Sequence, residues 1–177
     1  MTAFKTLDDI GEVTGKRVLV REDLNVPMDG ARVTDDTRLR AAAPTIAELS
    51  DKGAIVLVLA HFGRPKVPAP EYSLAQITMP LARVLGREVR FIDWEGDTAA
   101  AVASLRPGDI GLLENTRFFG GEETNDPAVI ARFAALGDLY VNDAFSAAHR
   151  AHASTEGLAR VLPAFAGRAM EAELIAL

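Results

Sequence analysis

Short apolar runs alternate with longer segments of helical periodicity along this chain. Five runs have the length of β-strands and are rich in Val, Ile and Leu: residues 17–21, 54–60, 88–92, 109–113 and 138–142. Most of them are apolar throughout instead of alternating with polar residues. Because strands of that kind occur where both faces of a sheet are covered, the pattern predicts a buried, mostly parallel sheet.

The segments between these runs carry apolar residues at helical spacing and residues that favour helix ends. The first begins near an N-cap at Thr34 or Asp35 and ends at Gly53, with a kink expected at Pro44. The others are residues 73–86, 97–105, 126–137 and 166–177. Alternating strands and helices predict βαβ units, so the expected fold class is α/β, with three layers and helices on both faces of the sheet.

Composition narrows the class of protein further. The chain has 177 residues, no cysteine, 19 basic residues and 25 acidic residues, for a net charge of −6. Disulfides and cysteine-based zinc sites are therefore excluded, and no general positive field attracts nucleic acid or an anionic membrane. No apolar run approaches the roughly 18 residues of a membrane span. We expect a single globular, cytoplasmic domain that has neither nucleic acid nor membrane as a partner.

Polar and cationic side chains follow four of the five predicted strands. They are Asp23 and Asn25; His61, Gly63 and Arg64; Glu114, Asn115 and Arg117; and Asp143, His149, Arg150 and His152. Arg38 lies in the first turns of the helix after the first strand. Ligands of open α/β sheets bind beyond the carboxyl ends of the strands. The sequence therefore predicts a local positive basin, on an acidic protein, for a small and multiply charged anion.

Each of these groups also has an ordinary structural explanation. A His-Arg pair after a strand is often a solvated loop, and an Asp-x-Asn sequence is often turn chemistry. His152 is as well placed to cap the segment at Ser154 as to contact a ligand. Residues 11–17, GEVTGKR, precede a strand and have the wrong glycine spacing for a phosphate-binding loop. No Gly-x-Gly-x-x-Gly follows the first strand, so a dinucleotide site is not expected.

Five blocks of the sequence resemble successive signature motifs of the phosphoglycerate kinase family. They are VLVREDLNVP, VTDDTRLRAAAPTI, HFGRPK, LLENTRFFGGEE and YVNDAFSAAHRAHAST. The resemblance covers essentially the whole chain but only half of the family's protein. It implies that residues 1–177 form a single N-terminal domain that binds 3-phosphoglycerate or 1,3-bisphosphoglycerate. It also implies that the chain ends at the start of the interdomain helix, without the C-terminal nucleotide-binding domain.

The resemblance implies a role for each matching residue. Arg38 matches the catalytic arginine, and Arg117 and Arg150 match arginines that hold the substrate's phosphate. The remaining substrate contacts that it implies are Asp23, Leu24, Asn25, His61, Phe62, Gly63, Arg64 and His149. The chain departs from the family pattern at a few positions: Glu22 stands where an apolar residue is common, Ser146-Ala147 replaces a common Gly-Thr pair, and Phe62 and Thr116 are mild changes of size.

The family's reaction moves a phosphoryl group between 1,3-bisphosphoglycerate and ADP, giving 3-phosphoglycerate and ATP. The resemblance also implies that Mg-ATP or Mg-ADP is the co-substrate and that the C-terminal domain binds it. It further implies that the full-length protein is a monomeric enzyme of glycolysis. Two alternatives stay open. In the first, the chain alone is a domain that binds a phosphorylated acid or sugar phosphate without turnover. In the second, it is an unrelated isomerase, for which Asp23 and Asp143 are the only candidate bases and poor ones.

Overall fold

Six parallel strands form the central sheet of the structure, a computed structural model that describes residues 4–177. In spatial order they are β5 (Arg90–Ile92), β6 (Ile110–Leu113), β4 (Ile55–Leu59), β1 (Arg17–Arg21), β7 (Leu139–Asn142) and β8 (Ala164–Ala166). A separate antiparallel hairpin joins β2 (Met28–Asp29) to β3 (Arg32–Val33).

Helices cover both faces of the sheet. One face carries α1 (Thr37–Asp51) and α2 (Thr78–Leu85), and the other carries α3 (Thr98–Ala103), α4 (Pro127–Ala134) and α5 (Leu158–Val161). The last helix, α6 (Arg168–Ala176), is held against α1 because Arg168 forms an ion pair with Glu48, with Nε 2.8 Å from Oε1. The arrangement is the predicted three-layer α/β fold.

The two faces of the sheet bury separate apolar cores. In β1, Val18 and Val20 pack toward α1, whereas Leu19 packs into the opposite core with Phe133 of α4. β4 is buried at all five positions, as expected for a strand that is covered on both sides. The central strands are therefore rigidly placed, and so are the loops that leave their carboxyl ends.

Most predicted elements lie within two residues of the observed ones. α1 continues through Pro44 and is followed by Gly53 in the left-handed conformation, at φ +84°. The N-cap of α1 is Asp36, so the prediction of Thr34 or Asp35 was wrong by one or two residues, although the carboxylate of Asp35 accepts a 2.9 Å bond from the backbone N–H of Thr37. The hairpin, α5 and β8 were not predicted, because none of them lies in an apolar run or a helical repeat long enough to be recognised in the sequence. Within residues 4–177 no helix is both long enough and apolar enough to cross a bilayer.

The junction between β8 and α6 generates a stability prediction. A Cβ atom added at Gly167 would lie 2.2 Å from Oδ1 of Asp143, although the backbone there has an ordinary φ of −73°. We expect Gly167→Ala to lower the free energy of unfolding by about 1–3 kcal/mol, as overpacking does. Gly120→Ala is the matched control, since nothing lies within 4 Å of its added Cβ. Equal stability of the two variants in denaturant unfolding would contradict the packing argument.

Candidate functional site

The carboxyl ends of four neighbouring strands form the edge on which the predicted site residues lie. Parallel pairing places the end of β1 beside the ends of β4 and β7, with Arg21 opposite both Leu59 and Asn142. β6 is the next strand on the far side of β4. The loops that leave these four strands, residues 22–25, 60–64, 114–117 and 143–152, are therefore neighbours. We call this region the strand-end basin.

Asp23, Asn25 and Arg38 form one connected group in the basin. The carboxylate of Asp23 accepts a 3.0 Å hydrogen bond from the backbone N–H of Asn25 and lies 3.6 Å from Nε of Arg38. Arg38 also donates to the backbone carbonyl of Asn25. Half of the Arg38 side chain remains exposed, so its guanidinium is oriented by the protein and still accessible to a ligand.

Arg38 also separates two concavities of the surface. A cavity of about 250 Å³ lies on the side of Asp23 and Ser146, and a cleft of about 620 Å³ lies on the side of Asn25 and Thr37. A guanidinium in this position borders both spaces.

The loop after β4 is fixed to the loops on either side of it. The backbone N–H of Gly63 donates to Oδ1 of Asn25 at 2.9 Å, and its carbonyl accepts a 3.2 Å bond from Arg117. Gly63 has a φ of +63°, and an added Cβ would lie 2.6 Å from the ring of Tyr72. Both the conformation and the close approach require glycine here. One glycine therefore allows the first, second and third loops of the basin to meet.

The side chain of Asn115 holds two of these loops in place through hydrogen bonds to their backbones. Its side chain is fully buried and accepts hydrogen bonds from the backbone N–H groups of Phe62 and Arg117, at 3.2 and 3.0 Å. It also donates to the carbonyl of Phe62 at 2.7 Å. The positions of Arg117 and of the His61 loop are therefore set by one amide side chain.

The cationic side chains of the basin are close enough to perturb one another. Burial lowers the pKa of Arg117, the negative charge of Glu123 opposes this shift, and the charges of Arg150 and Arg21 act in the same direction as burial. Burial, followed by the charges of Arg21, Arg117, Arg150 and His152, lowers the pKa of His61 to about 3. Positive charge is thus concentrated at one edge of an acidic chain, which is the electrostatic condition for binding an anion.

Glu22 and Asp143 form a buried carboxyl pair next to the basin. Their side chains are only 1% and 4% exposed, and Oδ1 of Asp143 accepts bonds from the N–H groups of Ala169 and Met170 at the start of α6. Burial, then the charge of Asp143 and a hydrogen bond to it, raises the pKa of Glu22 well above its usual range. Burial also raises the pKa of Asp143. Oε2 of Glu22 and Oδ2 of Asp143 are buried with no hydrogen-bond partner within residues 4–177, and a proton held between the two carboxyl groups would satisfy both oxygens.

A family model described as phosphoglycerate kinase matches residues 7–177 of the chain. The chain belongs to the phosphoglycerate kinase family. It is 75% identical over 176 residues to the phosphoglycerate kinase of Novosphingobium aromaticivorans, 76% identical over 178 residues to that of Rhizorhabdus wittichii and 72% identical over 178 residues to that of Zymomonas mobilis. These matches cover 99% of the chain but only 44–45% of the relatives, so the chain spans about half of their length.

Solved phosphoglycerate kinases share the fold described above. The structure from Coxiella burnetii superposes with a TM-score of 0.87 at 37% identity, and that from Pyrococcus horikoshii with 0.88 at 32% identity. Each match covers 97% of this chain and 43% or 44% of the solved chain. The predicted fold class and the resemblance to phosphoglycerate kinase are both confirmed.

The structure brings together most of the residues to which the resemblance to phosphoglycerate kinase assigned roles. Asp23, Asn25, Arg38, Gly63 and Arg117 are joined by direct contacts, and His61 and Arg150 lie in the same charged environment. The side chains of Leu24 and Phe62 lie in the apolar core. The backbone N–H and carbonyl of Phe62 are both bonded to Asn115, so of these two residues only Leu24 has a backbone N–H left for a ligand. Arg64 and His149 are exposed and form no side-chain hydrogen bond or ion pair within residues 4–177.

His152 takes the capping role that was one of its two possibilities. It precedes a π-helical turn, Ala153–Gly157, donates its backbone N–H to Oγ1 of Thr155 at 3.2 Å and accepts from the N–H of Gly157 through its carbonyl. The side chain is partly buried, and burial lowers its pKa. Its backbone thus begins the turn, while its ring contributes to the environment of His61.

Two contributors to the basin were not singled out from the sequence. Ser146, part of a departure from the phosphoglycerate kinase pattern, donates a 3.0 Å hydrogen bond to Oδ2 of Asp23. Arg21, the last residue of β1, is fully buried and contacts His61. A charged residue at the end of an apolar strand was the available signal for Arg21, whereas the contact of Ser146 depends on how distant loops meet.

The carboxyl pair generates a prediction about pH. In the unfolded chain a glutamate ionises near pH 4.3, whereas Glu22 keeps its proton to much higher pH when folded. Folding therefore takes up a proton between these pKa values, and the free energy of unfolding falls as pH rises, by up to about 1.4 kcal/mol per pH unit. Glu22→Gln should remove this component, so that the variant gains stability relative to the unmodified chain as pH increases.

The measurement is denaturant unfolding at a series of pH values from 4.5 to 8. Glu95→Gln, at an exposed position, is the matched control and should leave the pH profile unchanged. Parallel profiles for Glu22→Gln and the unmodified chain would show that Glu22 does not carry the extra proton.

Proposed function

We propose that this chain is the substrate-binding half of a glycolytic phosphoglycerate kinase and that the strand-end basin binds 3-phosphoglycerate or 1,3-bisphosphoglycerate. Membership of the family supports the reaction class. The observation that carries the proposal is the convergence of Arg38, His61, Arg117 and Arg150 at one edge of a chain whose net charge is −6.

The substrate supplies the negative charge that this basin lacks. 3-Phosphoglycerate carries a phosphate at one end and a carboxylate at the other, joined by a carbon that bears a hydroxyl group. In the proposed complex Arg117 and Arg150, with Arg64 of the adjacent loop, hold the phosphate that does not react. Guanidinium groups suit this task because their planar donors bind phosphate oxygens in pairs.

Asp23 and Asn25 orient the other end of the substrate. Asp23 is an acceptor for the hydroxyl group, and its own position is set by Ser146 and the backbone of Asn25. With the backbone of Leu24 and the rings of His61 and His149, these groups complete the proposed contacts. The carboxylate of the substrate is then directed toward the space beside Arg38.

The chemical step requires no general base. The nucleophile that forms 1,3-bisphosphoglycerate is a carboxylate, which is already ionised at neutral pH. What remains for the protein is in-line placement and stabilisation of the charge on the transferring phosphoryl group. Arg38 is the catalytic residue of the proposal, since its guanidinium is always charged, half exposed and oriented by Asp23 and Asn25.

The nucleotide and its metal ion belong to the other half of the protein in this proposal. Mg-ADP or Mg-ATP is the co-substrate, and a C-terminal domain of the same chain binds it. Closure of the two halves would exclude water from the transferring group. We further propose that the full-length protein is a cytoplasmic monomer and that residues 1–177 by themselves bind substrate without turnover.

An isomerase function has little support in the geometry. Such a reaction needs a carboxylate placed to remove a proton from carbon. Asp23 is engaged by Arg38 and Ser146, and Asp143 is buried against the start of α6. Neither carboxylate is available as a base.

Titration with 3-phosphoglycerate tests the binding half of the proposal. We expect saturable binding in calorimetry, and a loss of about 10- to 100-fold in affinity for Arg117→Ala, the cost of one hydrogen bond between charged groups. Arg40→Ala is the matched control, because Arg40 is an exposed arginine of α1 that pairs with Asp36 at 3.0 Å. Absence of binding to the unmodified chain, or equal affinities of the two variants, would contradict the proposal.

The role of Arg38 is tested in a full-length phosphoglycerate kinase that contains this half. Arg38→Ala is expected to lower kcat by about 10³- to 10⁵-fold, the range for arginines that stabilise phosphoryl transfer. The thermal unfolding midpoint should change little, because the side chain is half exposed. Retention of activity within tenfold would remove Arg38 from the catalytic role.

A further inference from the structure

Arg21 is a buried cation whose side chain is held on three sides. Its Nε donates to Oγ of Ser154 at 3.0 Å, one terminal nitrogen donates to the carbonyl of Glu22 at 2.6 Å, and the other lies 2.8 Å from Nδ1 of His61. Only 1% of the residue is exposed. Arg21 therefore has no route to the solvent and one defined contact with the basin.

The charge of Arg21 is balanced by an acid one hydrogen bond away. Glu122 is fully buried and accepts 2.7 and 2.8 Å bonds from the hydroxyl and the backbone N–H of Ser154. Because the Ser154 hydroxyl donates to Glu122, it is left as the acceptor for Arg21. The hydroxyl of Tyr140 donates to the carbonyl of Ser154 at 2.9 Å and fixes the same segment. The four side chains form a support beneath His61.

The contact between Arg21 and His61 determines the state of the imidazole ring. A guanidinium group has donors and no acceptor, so Nδ1 of His61 must carry a lone pair. The ring is then neutral, and its proton lies on Nε2. Burial and the surrounding cations favour the same neutral form.

We propose that Arg21 is a positioning residue that, with Ser154 and Glu122, holds His61 as the neutral tautomer protonated at Nε2, so that His61 meets the substrate as a hydrogen-bond donor. The identity of that substrate rests on the proposed function, whereas the state of the ring does not. The arrangement lets His61 bind an anionic oxygen without adding another positive charge beside Arg117 and Arg150. It also excludes His61 as a proton acceptor at Nε2.

The state of the ring is measured directly by two-bond proton–nitrogen correlation spectra of the ¹⁵N-labelled chain. We expect His61 to show a protonated Nε2 and an unprotonated Nδ1 at every pH from 5 to 8, with and without 3-phosphoglycerate. His61→Gln assigns the signals, and exposed His149 supplies an internal reference. A ring protonated on Nδ1, or on both nitrogens at pH 6, would overturn the proposal.

Variants of the support test whether Arg21 acts through His61. Arg21→Lys and Ser154→Ala should yield a mixture of tautomers at His61 and weaken 3-phosphoglycerate binding by about 3- to 10-fold, the cost of one neutral hydrogen bond. Arg17→Lys is the matched control, at the other end of β1, where the side chain is partly exposed and pairs with Asp138 at 3.1 Å. Unchanged His61 spectra in a folded Arg21→Lys or Ser154→Ala variant would overturn the positioning role.

The outcomes separate this inference from the function on which it rests. A ring protonated at Nε2 in a chain that does not bind 3-phosphoglycerate would overturn the proposed function and uphold the assignment of the tautomer. A ring protonated at Nδ1 in a chain that does bind would overturn the present inference alone. If Arg21→Lys fails to fold, the spectra of the unmodified chain and of Ser154→Ala still decide.

Discussion

The parallel register of β1 with β4 and β7 is the constraint on which the site depends. Successive side chains of a strand point to opposite faces, so a shift of one residue would exchange Leu19 with its neighbours and turn Arg21 away from the side on which Ser154 lies. Both faces of β1 are buried, and the apolar cores therefore oppose such a shift. Core packing therefore fixes the position along the strand direction at which each loop of the basin begins.

Gathering like charges at one edge is unfavourable unless the protein holds them in place. The structure does this with neutral groups and with an acid that stands back from the basin: Asn115 orients the loops, and Glu122 reaches Arg21 only through Ser154. Arg38 is paired directly with Asp23 at 3.6 Å and is still half exposed, whereas a direct ion pair at Arg117 or Arg150 would occupy donors that a ligand needs. Glu122 is connected to Arg21 through the hydroxyl of Ser154 and offsets the buried charge of Arg21 from there. The guanidinium groups of Arg117 and Arg150 keep their positive charge for a ligand.

The sequence predicted the parts of this structure that depend on local periodicity. The five apolar runs became β1, β4, β5, β6 and β7, and the polar residues after four of them met at one edge because parallel strands share a direction. The short β8 and the contact of Ser146 with Asp23 depend on chain segments that are far apart in sequence. No local sequence pattern encodes contacts of this kind, so they could not be predicted from the sequence.

Glu22 illustrates how a departure from the family pattern is accommodated by a long-range contact. Oδ2 of Asp143 and Oε2 of Glu22 are both buried without a hydrogen-bond partner within residues 4–177, and a proton on Glu22 would serve both oxygens, which an apolar side chain could not do. Oδ1 of Asp143 lies at the first turn of α6, where backbone N–H groups and the helix dipole favour a negative charge. The carboxyl pair thus lies between the end of β1 and the start of the last helix, beside the cavity that Arg38 lines.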